Sequence, residues 1–186
     1  MTTEHSGSGL IGKSVHRVED AALLIGKGCF VDDIQLPGTL HMALLRSPYP
    51  HAKVNSINTT AARAIPGVEA VITGEDISES LFIPVPQMVR GMKMPPHPVL
   101  ARGVVHAAGV PVAAVVAQTP AIAQDAVSAI DVEYEAMPSV VDVKKALEPN
   151  APLAREELDT NICYTVTKKG GDVDKAFAEA DHDARL

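Results

Sequence analysis

Three glycines near the N-terminus, Gly7, Gly9 and Gly12, have the G-x-G-x-x-G spacing with which many enzymes bind the pyrophosphate of a dinucleotide. Asp32 follows at about the distance where such enzymes place an acid on the ribose. The motif works only between a buried strand and a helix. Here a short, mostly polar stretch precedes it, and residues 13–20 show no helical periodicity. The sequence therefore argues against a dinucleotide site.

Two adjacent carboxylates, Asp32 and Asp33, could form an acid–base pair. In an extended strand, however, neighbouring side chains point to opposite faces, so the two groups would not converge. We expect them instead to accept hydrogen bonds from amides of the following turn, and either could pair with Arg46. The stretch Gly26-Lys27-Gly28 lacks a third glycine and a Lys-Ser/Thr pair, which predicts a turn and no phosphate site.

The histidines and cysteines do not have the spacing of a metal or redox site. No two histidines are three or four residues apart, so only a site assembled by folding stays open. The histidines are His5, His16, His41, His51, His97, His106 and His182. Cys29 and Cys163 are interpreted as buried thiols in a reducing compartment. No serine has the Gly-x-Ser-x-Gly context of a nucleophile. We therefore assign no catalytic, cofactor-binding or metal-binding residue.

The composition limits the classes of partner that the chain can bind. A net charge of −7 over 186 residues argues against nucleic acid, which needs a clustered basic face. The longest apolar run, residues 107–117, is too short to span a bilayer. The N-terminal residues show no export signal. We expect a cytoplasmic protein that binds no membrane, with one domain or one domain and an appendage.

The residues around these groups predict how the first half folds. A strand through Phe30 should reverse at Pro37-Gly38 and return as a strand from Leu40 to Arg46. The returning strand is apolar on both faces, which predicts burial on both. The layout that follows is α+β: a strand over 53–59, a short helix capped by Thr59 or Thr60, and a strand over 68–73.

A proline-rich segment, residues 81–98, follows. Its five prolines exclude a helix or a central strand, and three methionines lie among them. A loop of this length either packs against a partner or is an ordinary insertion.

In the second half we expect a helix over residues 120–130, with Ile122, Ala126, Ala129 and Ile130 on one face. This helix should cover a sheet that contains residues 112–116 and 132–137. The other predicted elements are strands at 104–105 and 161–167 and short helices at 142–147 and 172–180.

Several stretches occur in the order of one known family. They are Gly12–Asp20 (Gly-x-x-x-x-Arg-x-Glu-Asp), Gly26–Gly28, Phe30, Asp32–Asp33, Leu36–Gly38, Arg46–Pro48, His51–Ala52, Ala61–Val68, Thr73–Ile77, Val112–Ala117, Val132–Glu135 and Gly171–Asp174. From about Ile11 to its end, the chain resembles the beginning of the large, molybdenum-binding subunit of the xanthine dehydrogenase, aldehyde oxidase and carbon monoxide dehydrogenase family. It departs from that pattern at Ala107 and Val110, where relatives commonly have an aromatic and an acid.

The resemblance implies an α+β fold of the a/b hammerhead type, with mixed sheets and short helices packed on them. Residues 1–10 are polar and predicted to be disordered. Residues 11–186 would form the hammerhead domain, with α+β units at about 11–80 and 99–147 joined by the proline-rich segment. Residues 148–186 would begin the link to a molybdopterin-binding domain outside this sequence.

The function implied is that of the N-terminal structural domain of a molybdenum hydroxylase large subunit, inactive by itself. The full enzyme would hydroxylate an aldehyde, purine or other heterocycle, or oxidise carbon monoxide. No cofactor would be bound by this part; molybdopterin belongs to the full subunit, with iron–sulfur and FAD in partner domains or subunits and a dimer of the full complex. The alternative is a free-standing, non-catalytic assembly module that docks on a larger oxidoreductase complex.

Overall fold

A computed structural model describes residues 10, 12–34, 36–182 and 184. The disorder predicted for residues 1–10 falls almost entirely outside these residues. Contacts divide the chain into two units, Met1–Thr39 and Leu40–Leu186, and each is described by itself.

The first unit contains helix α1, Asp20–Leu24. Gly26 ends it with a φ of 69°, and the amide of Lys27 donates to Ala22 O (2.8 Å). This positive φ is what glycine supplies at low cost after a helix, so the predicted turn at Gly26 is confirmed. The structure adds a helix before it that the sequence pattern did not indicate.

The strand predicted through Phe30 is wrong. Val31–Asp33 form one 3₁₀ turn, because Asp33 Oδ2 accepts the amide of Phe30 (2.8 Å) and curls the chain back. The following reversal is confirmed: Thr39 N donates to Leu36 O (3.2 Å) and Gly38 has a φ of 78°. That conformation identifies a type II turn.

The second unit contains six strands and three helices among its described residues. The strands are β1 (His41–Arg46), β2 (Ala52–Asn58), β3 (Val68–Thr73), β4 (Val104–Val105), β5 (Pro111–Ala117) and β6 (Asp131–Ala136); the helices are α2 (Thr60–Arg63), α3 (Pro120–Ser128) and α4 (Val173–Ala178). Short 3₁₀ turns lie at Gly74–Asp76 and Lys145–Leu147.

The strands form two antiparallel sheets, β1-β5-β3 and β4-β2-β6. In the first sheet Val115 lies opposite Ala43 on one side and Val71 on the other. In the second, Val54 lies opposite Tyr134, and the register of β2 shifts just after Val54.

The expected single sheet that contains both β5 and β6 is wrong, because these strands belong to different sheets. β5 is buried along most of its length and therefore takes a central position. β6 alternates apolar residues with Glu133 and Glu135 and lies at an edge, where one face meets solvent. Each sheet also takes strands from both sides of the proline-rich segment, so the units expected at 11–80 and 99–147 do not correspond to separate sheets.

The burial predicted for both faces of β1 is also wrong. β1 is an edge strand of its sheet, and the Met42 side chain is 65% exposed. Although β1 is apolar on both faces, one of its faces is partly exposed to solvent, which the periodicity of the sequence does not indicate.

Helix α3 covers the first sheet. The Thr119 hydroxyl accepts the amide of Ile122 (3.2 Å) and Pro120 begins the helix, as predicted. Of the expected apolar face, Ala126 and Ile130 are buried in the main core. That core also contains Ala62, Val71, Ala113, Val115 and Val127. The core thus consists of small and β-branched side chains, as expected for a chain with few aromatic residues.

Helix α2 begins after Thr59, which makes no side-chain cap of its own; Asn58 Oδ1 accepts the amide of Thr60 instead (3.1 Å). Asp172 is confirmed as a cap, since its side chain accepts the amide of Lys175 (3.0 Å). The cap predicted at Asp142 is wrong, because the 3₁₀ turn begins after Lys144; Asp142 Oδ1 instead accepts the amides of Lys144 (2.8 Å) and Lys145 (3.0 Å).

The proline-rich segment has no helix among its described residues, as predicted, and only a single bridge, Phe82 to Pro98. The strand predicted at 161–167 is wrong, because the half-exposed side chains at 162, 164 and 166 alternate without any neighbouring strand in the described chain. Among the helices that the structure describes, all are too short or too polar to cross a membrane.

Candidate functional site

The Arg46-Ser47 pair forms a tight corner with Gly109. Ser47 N donates to Val110 O (2.9 Å), and Gly109 N donates to Ser47 O (2.8 Å). Arg46 Nη1 donates to Gly109 O (2.8 Å), so within the second unit its guanidinium binds a backbone carbonyl. Gly109 has a φ of 86°, which favours glycine at this turn. The corner therefore joins the end of β1 to the beginning of β5.

Ser47 and His51 are the only polar residues of the described chain that are buried, at 3% and 4% exposure. The Ser47 hydroxyl accepts the amide of Tyr49 (3.1 Å) and also faces Tyr49 O (3.2 Å). Burial raises the pKa of the Tyr134 hydroxyl, and the nearby Ser47 hydroxyl opposes that shift. Ser47 is therefore engaged by the backbone and is not paired with a histidine as a nucleophile requires.

His51 anchors the chain after β6. Its Nδ1 lies 2.8 Å from Pro138 O, and because a carbonyl only accepts, Nδ1 carries the proton. Its Nε2 is buried and has no partner among the described residues. Because that imidazole is oriented by a carbonyl and not by a carboxylate, it lacks the acid partner of a catalytic triad.

His106 lies beside it, with 5.4 Å between the ring centroids. Its Nδ1 donates to Ala154 O (3.1 Å). Burial lowers the pKa of His106, and the positive charge of Arg155 lowers it further. Each of the two histidines thus attaches the residues after β6 to the second sheet through one backbone carbonyl.

Arg155 links the residues after β6 to the proline-rich segment. Its side chain is only 15% exposed, and Nη1 lies 3.2 Å from Glu157 Oε1. Nη2 donates to Pro96 O and to His97 Nδ1, both at 3.0 Å. A guanidinium held by several acceptors fixes geometry well.

The other predicted candidates are not brought together. Gly7, Gly9 and His5 lie outside the described residues. Both cysteines are free, and Cys29 is exposed, contrary to the predicted burial, while the Cys163 thiol donates to Lys93 O (2.9 Å). No group of three or more His, Cys, Asp or Glu side chains in the described chain is placed to hold a metal ion. Sequence reasoning missed the contact of His51 and His106, which is long-range and has no local signal.

The polar groups also do not fit the molybdenum cofactor that the resemblance implies for the full subunit. A pterin with its phosphate needs several free donors and acceptors along its edge. Among these polar residues, Ser47, His106 and Arg155 are already bound to groups of this chain. His51 Nε2 is the only buried side-chain nitrogen or oxygen without a partner among the described residues. With the second ring nitrogen of His106 this gives two acceptors, which cannot hold a group that needs several donors as well.

Comparison with known proteins gives the family. Residues 25–138 match the model of the aldehyde oxidase and xanthine dehydrogenase a/b hammerhead domain. The chain is 38% identical over 174 residues to the nicotine 6-hydroxylase large subunit of Paenarthrobacter nicotinovorans, which covers 93% of this chain and 21% of that one. It is 43% identical over 140 residues to the carbon monoxide dehydrogenase large chain of Hydrogenophaga pseudoflava, which covers 75% of this chain and 17% of that one.

The fold agrees with a solved relative. Quinoline 2-oxidoreductase from Pseudomonas putida 86 superposes with a TM-score of 0.80 at 40% identity, over 95% of this chain and 22% of that one. The chain thus spans about a fifth of the length of the relatives it matches. With most of the sequence in the family model and the same fold in a solved member, the chain belongs to the a/b hammerhead family of aldehyde oxidases and xanthine dehydrogenases.

Proposed function

We propose that this chain is the hammerhead domain of a molybdenum hydroxylase large subunit, and that it contributes structure to that subunit while the chemistry takes place elsewhere in it. The observation that supports this most is how the polar side chains are used. Ser47, His51, His106 and Arg155 all hold backbone groups of this same chain. Residues used in this way stabilise a corner and leave no nucleophile paired with a base.

The proposed domain covers residues 11–186, which contain the whole family match at 25–138. Residues 148–186 would begin the link to the molybdopterin-binding domain. Their exposure supports this part of the proposal: the described residues there include one short helix, α4, with no buried side chain. A segment that makes few buried contacts in this chain suits a connection to further sequence.

The activity proposed for the whole protein is oxidation by a molybdenum cofactor, with hydroxylation of an aldehyde, purine or other heterocycle, or oxidation of carbon monoxide. The relatives named for nicotine, quinoline and carbon monoxide support this range of reactions. The proposed partners are the downstream molybdopterin-binding domains, iron–sulfur and FAD subunits, and a second copy of the complex, in the cytoplasm.

The test separates this domain from the rest of the subunit. Residues 1–186 are produced in cells that make the molybdenum cofactor, and bound molybdenum is measured together with dye-linked oxidation of aldehyde, purine and carbon monoxide. We expect neither metal nor activity from this chain alone. We expect both when the remainder of a large subunit and its partner subunits are co-produced.

Two outcomes would contradict the proposal. Stoichiometric molybdenum on residues 1–186 would place the cofactor in this chain. Co-purification with a large subunit that already contains its own hammerhead domain would favour the free-standing assembly module.

A further inference from the structure

A cavity of about 330 Å³ lies between the proline-rich segment and the residues of β4 and β5. Its walls are mainly apolar, and three nitrogen-bearing side chains, His97, His106 and Arg155, complete the lining. The apolar lining consists of Ile83, Pro98, Ala101, Val104, Val110 and Pro111. Apolar walls with a few converging polar groups are typical of small-molecule sites of this size.

The walls are held in place by backbone hydrogen bonds. Ile83 N donates to His97 O (2.7 Å), which ties the two ends of the proline-rich segment together. Ala101 N donates to Pro111 O (2.8 Å), which joins the floor to the start of β5. Ala101 is itself buried. The cavity is therefore shaped before any ligand enters, which lowers the entropic cost of binding.

The hydrogen-bond partners decide which nitrogen of each histidine carries the proton. His97 Nδ1 lies 3.0 Å from Arg155 Nη2, and because a guanidinium only donates, this nitrogen accepts. Neutral His97 then carries its proton on Nε2. His106 has the reverse arrangement: Nδ1 donates to Ala154 O (3.1 Å), so Nε2 of the neutral ring keeps a lone pair that no described residue binds. Two residues of the lining, His97 and His106, thus carry one donor and one acceptor on their Nε2 atoms.

The positive charge of Arg155, the third polar group of the lining, is already paired within the chain. Arg155 pairs with Glu157 Oε1 (3.2 Å) and also donates to Pro96 O (3.0 Å). A guanidinium with these partners has little left to offer an anion. The low pKa of His106, which burial and Arg155 cause, also keeps a second positive charge from the cavity near neutral pH. These groups therefore favour a neutral ligand over a carboxylate.

We propose that this cavity binds a small, planar aromatic molecule that carries a neutral amide. The ring lies against the apolar walls, the amide carbonyl accepts from His97 Nε2–H, and the amide N–H donates to His106 Nε2. The inference rests on the cavity and the two proton positions, and it does not depend on the function proposed above.

Benzamide is the probe, titrated into the native chain by isothermal calorimetry near pH 7. The first comparison is N,N-dimethylbenzamide, which keeps the ring and carbonyl but has no N–H. We expect it to bind about tenfold more weakly, the upper range for one lost hydrogen bond. The second comparison is benzoate, an anionic acceptor without a donor, which should bind more weakly than benzamide.

A pair of variants locates the site. His106→Phe removes the acceptor and should weaken benzamide binding about tenfold. The control, His41→Phe, changes a histidine on β1 that does not line the cavity and should leave affinity unchanged. Absence of saturable benzamide binding would overturn the proposal. So would equal affinity for the dimethyl amide, or tighter binding of benzoate; both comparisons use the native chain and do not depend on how a variant folds.

Discussion

Gly74 is the glycine at which an added methyl group should reduce the stability of the fold most. It is buried in the 3₁₀ turn after β3, and a Cβ added there would lie 2.3 Å from Ala101 O and 2.9 Å from Arg102 Cγ. Side-chain carbons do not approach a carbonyl oxygen this closely, and the oxygen belongs to backbone that cannot rotate away. Gly74→Ala must therefore move the chain at residues 101–102.

The magnitude follows from what that stretch supports. Ala101 N donates to Pro111 O (2.8 Å), and the neighbouring Gly103 O accepts Val54 N (2.7 Å), so this stretch is bonded to strands of both sheets. Overpacking of a well-packed interior typically costs about 1–3 kcal/mol, and a backbone clash lies at the upper end. We expect about 3 kcal/mol. With a urea slope of about 2 kcal/mol/M, the unfolding midpoint should fall by about 1.5 M.

The assay is urea unfolding followed by far-ultraviolet circular dichroism on the native chain, Gly74→Ala and Gly170→Ala. Gly170 is the matched control, because an added Cβ there meets nothing within 4 Å and its φ is not positive. We expect its free energy of unfolding to stay within about 0.5 kcal/mol of the native value. A Gly74→Ala midpoint equal to that of Gly170→Ala would refute the close approach between Gly74 and Ala101.

Two further predictions concern a turn and a titration. Gly38→Val should destabilise the first unit by about 1–3 kcal/mol, because the φ of 78° is strained for a β-branched residue although an added Cβ would meet nothing within 4 Å; an unchanged proteolysis rate around residue 38 would contradict this. The folded chain should lose stability in mild acid through His106. Because its folded pKa is below the ordinary value of 6.5, the unfolded chain binds the proton more tightly, so this contribution is complete above about pH 6.5 and is lost as pH falls through the folded pKa. In the His106→Gln variant, the urea midpoint should depend less on pH between about pH 7 and pH 5. Asp76, whose pKa is lowered by its hydrogen bonds from Thr73, loses its contribution only in stronger acid, so an equally steep loss in the variant would exclude His106 as the cause.

Local signals in the sequence determined the turns and helix ends. Thr119-Pro120 and Asp172 begin helices where expected, and Pro37-Gly38 reverses the chain. In each case the interacting groups are three or four residues apart, so the physical cause lies within the sequence window. The ordered family stretches likewise indicated the fold class, because they carry these turns and strands in a fixed order.

Partner choice between strands was decided by the tertiary structure. Whether a strand is central or at an edge depends on residues far away in the chain, as the placement of β1, β5 and β6 shows. The alternation at 161–167 predicted a strand, yet no described neighbour offers it a ladder, and a strand exists only when a second one pairs with it.

The contact between the two histidines depended on the whole fold in the same way. His51 and His106 are far apart in sequence and meet only because β2 pairs with β4 in the second sheet. The proton positions on His97 and His106 follow from Arg155 and Ala154, which approach from another segment. The sequence alone thus determined the family and the local turns, because those depend on neighbouring residues. Only the tertiary structure decided the strand order and the donor and acceptor of the cavity, because those depend on long-range contacts.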